Sequence, residues 1–510
     1  MTLAARGAYV MLAAIALAGC ERASEQAESV QPEEIRSVLL SVPADPTISL
    51  SVSFAVGSQN DPPGKEGLAY LTGRMIAEAA TQNHSLDEIL KLLYPLAAGY
   101  DVRVDRERTT LTGRTHRDNL DAYLGLFTDA FLKPAFAPAD FERVKNDAIN
   151  YVANTLRYSS DEDLAKAALY EFVFRGTRYA HPPIGTVAGL RAVTLDDVRA
   201  FYGEHFTRAN ALLGVGGGFD DALVASLEGA VRALPADTPA PPPDITPAAI
   251  AGREVLLVDK PRADASISFG APVNVHRGER DFYALWIANS WLGEHRNQAS
   301  HLFQVIREAR GLNYGDYSYI EAFPEGGERN MPPVNVPRRQ QLFEVWIRTL
   351  PNQQAHFALR AAVREVEQLA ANGLTQEQFD LTRQFLKKYS LHFADTTAMR
   401  LGYAVDDDFY DLRDEGHLAR FRRMMDELTL DDVNGAIKRH LTPANLKIAI
   451  VTGDAATLRA ALAADAPSPL RYETAKPDAI LAEDEAIAAQ PLAIPAERIS
   501  VVPVTAAFEQ

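Results

Sequence analysis

Cysteine occurs once in the 510 residues, at Cys20. That excludes an intramolecular disulfide, a four-cysteine zinc site and any Cys-x-x-Cys redox motif. Any metal chemistry is left to histidine and carboxylates. Histidine is scarce as well, with 11 in all. No two stand three or four apart, the spacing that brings two imidazoles onto one helix face; the nearest pair, His295 and His301, diverges on a helix. Basic blocks are also missing: 51 Lys and Arg against 68 Asp and Glu leave a formal charge of −17, and the cations are scattered. No stripe suited to a phosphate backbone exists, so nucleic-acid binding is not expected.

The apolar run from Ala8 to Ala18 follows a short start containing Arg6. It is shorter than the roughly 20 residues that span a bilayer, and reads as a cleaved secretion signal over residues 1–19. Leu17-Ala18-Gly19-Cys20 resembles the lipobox of bacterial lipoproteins, which implies lipidation of Cys20 and a body tethered on the periplasmic side of a bacterial membrane. A plain cleaved signal with an incidental cysteine is the alternative. The polar stretch 20–34 reads as a flexible tether.

An internal repeat organises the rest. Thr194-Leu195-Asp196-Asp197-Val198, with His205, Thr207, Ala209 and Asn210, recurs as Thr429-Leu430-Asp431-Asp432-Val433, with His440, Thr442, Ala444 and Asn445. Every pair is offset by 235, for example 429 − 194. Two homologous domains follow, at 35–235 and 252–465. A proline-rich linker at 236–251 separates them, and an Ala/Pro/Glu-rich tail, 466–510, ends in the strand-like piece 499–504, which can lie back on a domain. Ser49 to Val56 alternates as a half-buried strand. The stretches 138–158 and 353–372 read as amphipathic surface helices. The expected fold class is α+β: two α/β sandwiches, each a mostly antiparallel sheet covered by helices.

Gly57-Ser58-Gln59-Asn60-Asp61-Pro62-Pro63-Gly64-Lys65-Glu66-Gly67-Leu68-Ala69-Tyr70-Leu71 resembles the opening strand-turn-helix of the insulinase (pitrilysin) family of zinc metallopeptidases. His181-Pro182-Pro183-Ile184-Gly185-Thr186 is similar to a family loop, and the stretch from Ser300 to Tyr314 is similar to its second-domain signature. The resemblance implies that the helix after Gly67 should carry His-x-x-Glu-His, two zinc ligands and the glutamate that activates water. Tyr70, Gly73 and Arg74 stand there instead, and the family's third ligand, a glutamate, falls on Tyr151. Arginine offers no lone pair and glycine no base, and a tyrosine with its ordinary pKa of about 10 is a poor ligand. No metal is therefore expected in this chain.

The family's substrate-holding Arg/Tyr pair falls on Arg307 and Tyr314, with Gly311 ending the helix and Tyr314 on the next strand. An Arg and a Tyr at this spacing are commonly an ordinary surface pair; inside this signature they read as substrate-binding groups. Other signals have plainer readings. Glu294, His295, His301 and Glu308 would make at most an improvised metal site, and otherwise are solvated polar groups. Gly214 to Gly218 read as a structural turn, His205 and His440 as helix-end packing, and Asp406-Asp407-Asp408 with Asp411 as a solvated loop without EF-hand spacing. The resemblance thus implies a non-catalytic subunit of a heterodimeric periplasmic peptidase. Its zinc would sit in a partner subunit of the same family, and its substrates would be short or unfolded peptides. A catalytically silent scaffold or binding lipoprotein is the alternative, and an autonomous peptidase with an unfamiliar metal site is the least expected reading.

Overall fold

Eleven strands among the described residues build two sheets of repeated topology. The first contains β1 (Ser37–Ser41), β2 (Thr47–Phe54), β3 (Gly99–Val104), β4 (Thr109–His116) and β5 (Ala211–Gly217), in the order β1-β5-β2-β4-β3. The second contains β6 (Arg253–Asp259), β7 (Ala265–Val273), β8 (Asp316–Tyr319), β9 (Gln341–Leu350), β10 (Leu446–Thr452) and β11 (Ile499–Pro503), in the order β11-β6-β10-β7-β9-β8. Without β11 the two orders are the same. Each sheet is antiparallel except where β1 joins β5, β6 joins β10 and β11 joins β6. The computed structural model describes residues 35–237 and 241–510. The expected leader, Cys20 and tether lie outside these residues.

The repeated Thr-Leu-Asp-Asp-Val has a local physical cause. Thr194 and Thr429 each cap a helix, Leu195–His205 and Leu430–His440, by accepting from the backbone N–H three residues on. Asp197 and Asp432 close the capping box by accepting from the threonine N–H. Two otherwise orphaned donors are thereby satisfied at each helix start.

β2 is buried over nearly its whole length, not half-buried. Its apolar residues Ile48, Leu50, Val52 and Phe54 face the core of the first half. Ser49, Ser51 and Ser53 on the opposite face are also buried, because the helix Thr397–Phe409 from the second half lies across this sheet. The same crossing explains the glycines of β5, which form strand and not the turn expected. A side chain at Gly214 would press on Val405 and Leu401, and one at Gly216 on Thr397 and Leu401. The absent side chains let the helix settle onto the strand.

The reverse crossing completes the arrangement. The helix Asp161–Phe174 of the first half lies across β6, β7, β9 and β10 of the second. The two helices are equivalent in the repeat: 174 + 235 = 409, the last residue of each. Each half therefore covers the open face of the other's sheet with its own copy of one helix, and Ile35–Gln510 forms a single compact unit.

Crossing helices bring charge inside. Asp408, in the helix and not in a loop, has a fully buried carboxylate that meets Arg36 at 2.5 Å and Arg108 at 3.2 Å, both from the first half, and also Arg413. Asp406 accepts from the Asn335 N–H at 3.0 Å and lies 3.6 Å from Arg277; burial pushes it up to about 7. Asp407 receives the His417 N–H at 2.8 Å. The residues joining β3 to β4, Asp105-Arg106-Glu107-Arg108, are all buried. Asp105 takes both terminal nitrogens of Arg338, one at 2.7 Å, and Glu107 takes Arg339 at 3.0 Å. Burial works to raise Asp105, and Arg338 overrides it, holding the carboxyl below its usual range.

The linker is packed: Ile245 is in the core, and the Pro243 carbonyl accepts from Arg339 at 3.2 Å. The tail lies across both halves. Its helix Asp478–Ala489 receives Arg310 on Asp484 at 2.7 Å, and β11 extends the second sheet. The carbonyls of Phe508 and Glu509 then accept from the N–H groups of Val187 and Ala188 in the first half. Among the described residues no helix is long and apolar enough to cross a membrane.

Removing one member of a buried pair leaves an uncompensated charge and costs about 3–5 kcal/mol. Arg338→Met should therefore lower the thermal midpoint markedly, and pairing it with Asp105→Leu should recover much of the loss in a differential scanning calorimetry series.

Candidate functional site

The helix Leu68–Ala77 carries three of the four positions where the family motif would stand, and its start is fixed locally. Buried Asp61 accepts from the Gly67 and Ala69 N–H groups, both at 2.7 Å. Gly67 takes φ of +111°, a conformation that side chains avoid, and leaves room for Leu190 and the Ile184 carbonyl. The scaffold of the motif is intact.

Its chemistry is replaced. Arg74 is bound to Glu78 on the same helix, Nε to Oε2 at 2.9 Å, and lies 3.7 Å from Asp101 of β3. Its guanidinium also lies over the Tyr70 ring at 5.8 Å. Burial holds the Tyr70 hydroxyl above its ordinary range, with Arg74 opposing, so it stays a neutral phenol. Tyr151, the first residue of a π-helical segment Tyr151–Leu156 that continues the helix Pro138–Asn150, is raised by burial and is among the groups bearing on Tyr70. Tyr70 thus lies against Arg74 and within electrostatic reach of Tyr151. A neutral phenol pair and a cation already engaged by a carboxylate do not fit a zinc ion.

Gly73 closes the site sterically as well. A Cβ there would fall well inside contact distance of Val104 Cγ2 on β3. The helix therefore packs closer to the strand than a glutamate at this position would allow.

Arg307 lies in a second π-helical segment, Phe303–Glu308, at the end of its helix. Gly311, at φ of +72°, stops the helix, and its N–H bonds the Arg307 carbonyl at 2.7 Å. Tyr314 is not on the following strand: β8 begins at Asp316, and Tyr314 sits in the loop before it, 78 % exposed. The cause is local, since Asn313 turns the chain by donating to Asp316 at 2.7 Å and accepting from Gly315 N–H at 3.2 Å. The Arg307 guanidinium lies over Phe303 at 5.4 Å and reaches Glu308 at 2.5 Å. Among the described residues Tyr314 has no hydrogen-bond partner, and no hydrogen bond or ion pair joins Arg307 or Tyr314 to Tyr70, Gly73, Arg74 or Tyr151.

The remaining candidates are committed elsewhere. His295 uses both ring nitrogens, on Tyr319 and the Arg329 carbonyl, each at 2.8 Å, and burial lowers it to about 4. His301 meets Glu365 at 2.6 Å and stacks on Trp291. Glu294 is buried beside His295, whose backbone N–H it accepts, and is pushed up to about 7 by that burial. These groups do not converge. His205 packs on Phe201 at a helix end, and His440 meets Asp281 at 2.8 Å.

One feature of the junction had no sequence signal pointing to a site. A cavity of about 210 Å³ opens between the halves, beside Tyr151, and is lined by Arg106, Lys166, Tyr170 and Phe323 among others.

Inserting a methyl where Gly73 stands should overpack the helix against β3, a change that costs about 1–3 kcal/mol. Gly73→Ala is expected to melt lower than the parent chain, and Gly73→Ala with Val104→Ala to regain part of the difference, in paired thermal melts.

Two family models match in tandem: Insulinase (Peptidase family M16) over residues 36–187, and Peptidase M16 inactive domain over residues 192–386. An uncharacterized zinc protease of Streptomyces coelicolor is 24% identical over 354 residues, 68% of this chain and 72% of that protein. The crystal structure of a peptidase M16 inactive domain from Pseudomonas fluorescens superposes with a TM-score of 0.71 at 22% identity, covering 81% of this chain and 94% of that one. A chain of Complex III2 from Candida albicans superposes with a TM-score of 0.61 at 14% identity, covering 81% and 93%. With two tandem domains of this fold, and with Tyr70, Gly73 and Arg74 where the zinc motif would be, the chain belongs to the insulinase family as a member that lacks the catalytic motif.

Proposed function

We propose that this protein is the non-catalytic subunit of a heterodimeric zinc peptidase, tethered through Cys20 on the periplasmic side of a bacterial membrane. The partner is an insulinase-family chain that carries zinc, and the substrates are short or unfolded peptides. This chain supplies half of the peptide chamber together with Arg307 and Tyr314. The observation that carries the reading is the contrast between two positions. At the motif helix the donors are gone and the space is closed by Gly73 against Val104. At the second-domain signature Tyr314 remains exposed with its hydroxyl unengaged, seven residues from Arg307 in sequence.

A guanidinium and a phenol are donors suited to a peptide carbonyl and to the oxyanion formed when it is attacked. Arg307 is held loosely, its side chain 40% exposed and paired only to its chain neighbour Glu308. A substrate carbonyl can take that donor without unburying a charge.

Purification of the full-length protein from gently solubilised membranes should bring down a stoichiometric partner with an intact His-x-x-Glu-His and about one zinc per pair. In that complex Arg307→Ala or Tyr314→Phe should lower peptide turnover on the order of 10²-fold, the scale of losing one transition-state donor, with assembly unchanged by size-exclusion chromatography. Unaltered turnover removes the substrate role. Recovery of the chain with unrelated envelope proteins, and without zinc, assigns it to scaffolding.

A further inference from the structure

Among the described residues, Arg106 beside the cavity between the halves forms no ion pair. Arg106 is 6% exposed. Its Nε donates to the Tyr179 carbonyl at 3.1 Å and its Nη2 to the His181 carbonyl at 3.3 Å, both neutral acceptors. The guanidinium lies over the Tyr170 ring at 4.8 Å. Among the described residues Nη1 has no partner, and no carboxylate stands within ion-pair distance. The carboxylates on either side of it in the chain, Asp105 and Glu107, are held by Arg338 and Arg339. Burial, with Arg338 nearby, pulls Arg106 down to about 10, as expected for a cation short of a counter-charge.

The other cations around the cavity are neutralised. Lys166 meets Glu344 at 3.0 Å, and Arg338 is bound by Asp105. Glu325, at the mouth, is taken by Arg103 and Arg329. Asp163 and Glu328 also line the opening, and among the described residues neither has a basic partner. These two carboxylates oppose entry of any anion, and of a dianion such as phosphate most. The walls are Tyr151, Tyr170, Phe323 and prolines, so apolar matter is accommodated next to the guanidinium. The volume equals the share of about seven waters at about 30 Å³ each, enough for one residue with its carboxylate.

We propose that this cavity is a binding site for a carboxylate carried on a small apolar group, namely the free C-terminus of a short peptide, held by Arg106. A carboxylate oxygen can accept from the unpartnered Nη1, and a charge-assisted hydrogen bond is stronger than one between neutral groups. The site belongs to this chain alone and needs neither a zinc-bearing partner nor Arg307 and Tyr314.

Isothermal titration calorimetry of the full chain with acetyl-Ala-Ala-Phe tests it against acetyl-Ala-Ala-Phe-amide, acetate and inorganic phosphate. The free acid should bind about tenfold or more tightly than the amide, and more tightly than acetate or phosphate. Arg106→Gln should abolish binding of the acid. Because Arg106 also ties down two carbonyls, its variant is read only alongside a thermal melt, and Ala167→Phe, which fills the cavity from the helix Asp161–Phe174 without touching Arg106, should abolish binding independently. Equal affinity for acid and amide, retained binding in Ala167→Phe, or no heat with the acid in the millimolar range overturns the proposal. Acetate binding as well as the peptide acid overturns the peptide terminus as its source, and tighter phosphate binding overturns the ligand class.

Discussion

A sheet has two faces, and each half of this chain has helices enough to dry only one of them. The second face is covered by exchange: Thr397–Phe409 crosses the first sheet and Asp161–Phe174 the second. The exchange accounts for features that look unrelated in sequence. The glycines of β5 leave room for Leu401 and Val405, and the serines of β2 face a helix where they would otherwise face water. It also makes the two halves one cooperative body, since separating them would expose an apolar strip on both sheets, at roughly 25 cal/mol for each Å² uncovered.

The exchange has an electrostatic consequence. Helices designed to lie across a foreign sheet carry charges that must find partners there, because an unpaired buried charge costs far more than a paired one contributes. Asp408 finds Arg36 and Arg108, Lys166 finds Glu344, and Asp105 and Glu107 find Arg338 and Arg339. Such pairs are weak evidence for stability by themselves. Their effect is on geometry, because a bidentate Arg–carboxylate contact fixes angle as well as distance. Arg106 is the member of its hairpin that the pairing scheme leaves over.

The repeat and the two-sandwich fold were legible in sequence, because each rests on local spacing, a capping box and alternating strands, and the replacement of the zinc motif was legible through the family resemblance after Gly67. What was not legible shares one cause. Asp408 read as part of a solvated loop, the β5 glycines as a turn and β2 as half-buried, and each reading fails where the other half covers the residue, while Asp406 and Asp407 are held by Asn335 and His417 of their own half. Local pattern reports the period of an element and the chemistry of its faces, and cannot report that a polar face is covered by a second domain. Tyr314 differs: its displacement from the strand comes from Asn313 and Gly315, a short turn inside a stretch read as continuous.

The motif helix shows that the loss of zinc chemistry is built into packing and is not a matter of three substituted side chains. With glycine at position 73 the helix lies against Val104, Arg74 is drawn along the helix to Glu78, and the Tyr70 hydroxyl stays protonated beneath it. Each change supports the next: the close approach buries Tyr70, the cation over its ring favours that burial, and the carboxylate that holds the cation is one turn further on. Meanwhile Asp61, which anchors the same helix through two backbone N–H groups, keeps the helix where the family places it. A position that is chemically silent yet structurally maintained is what a wall requires.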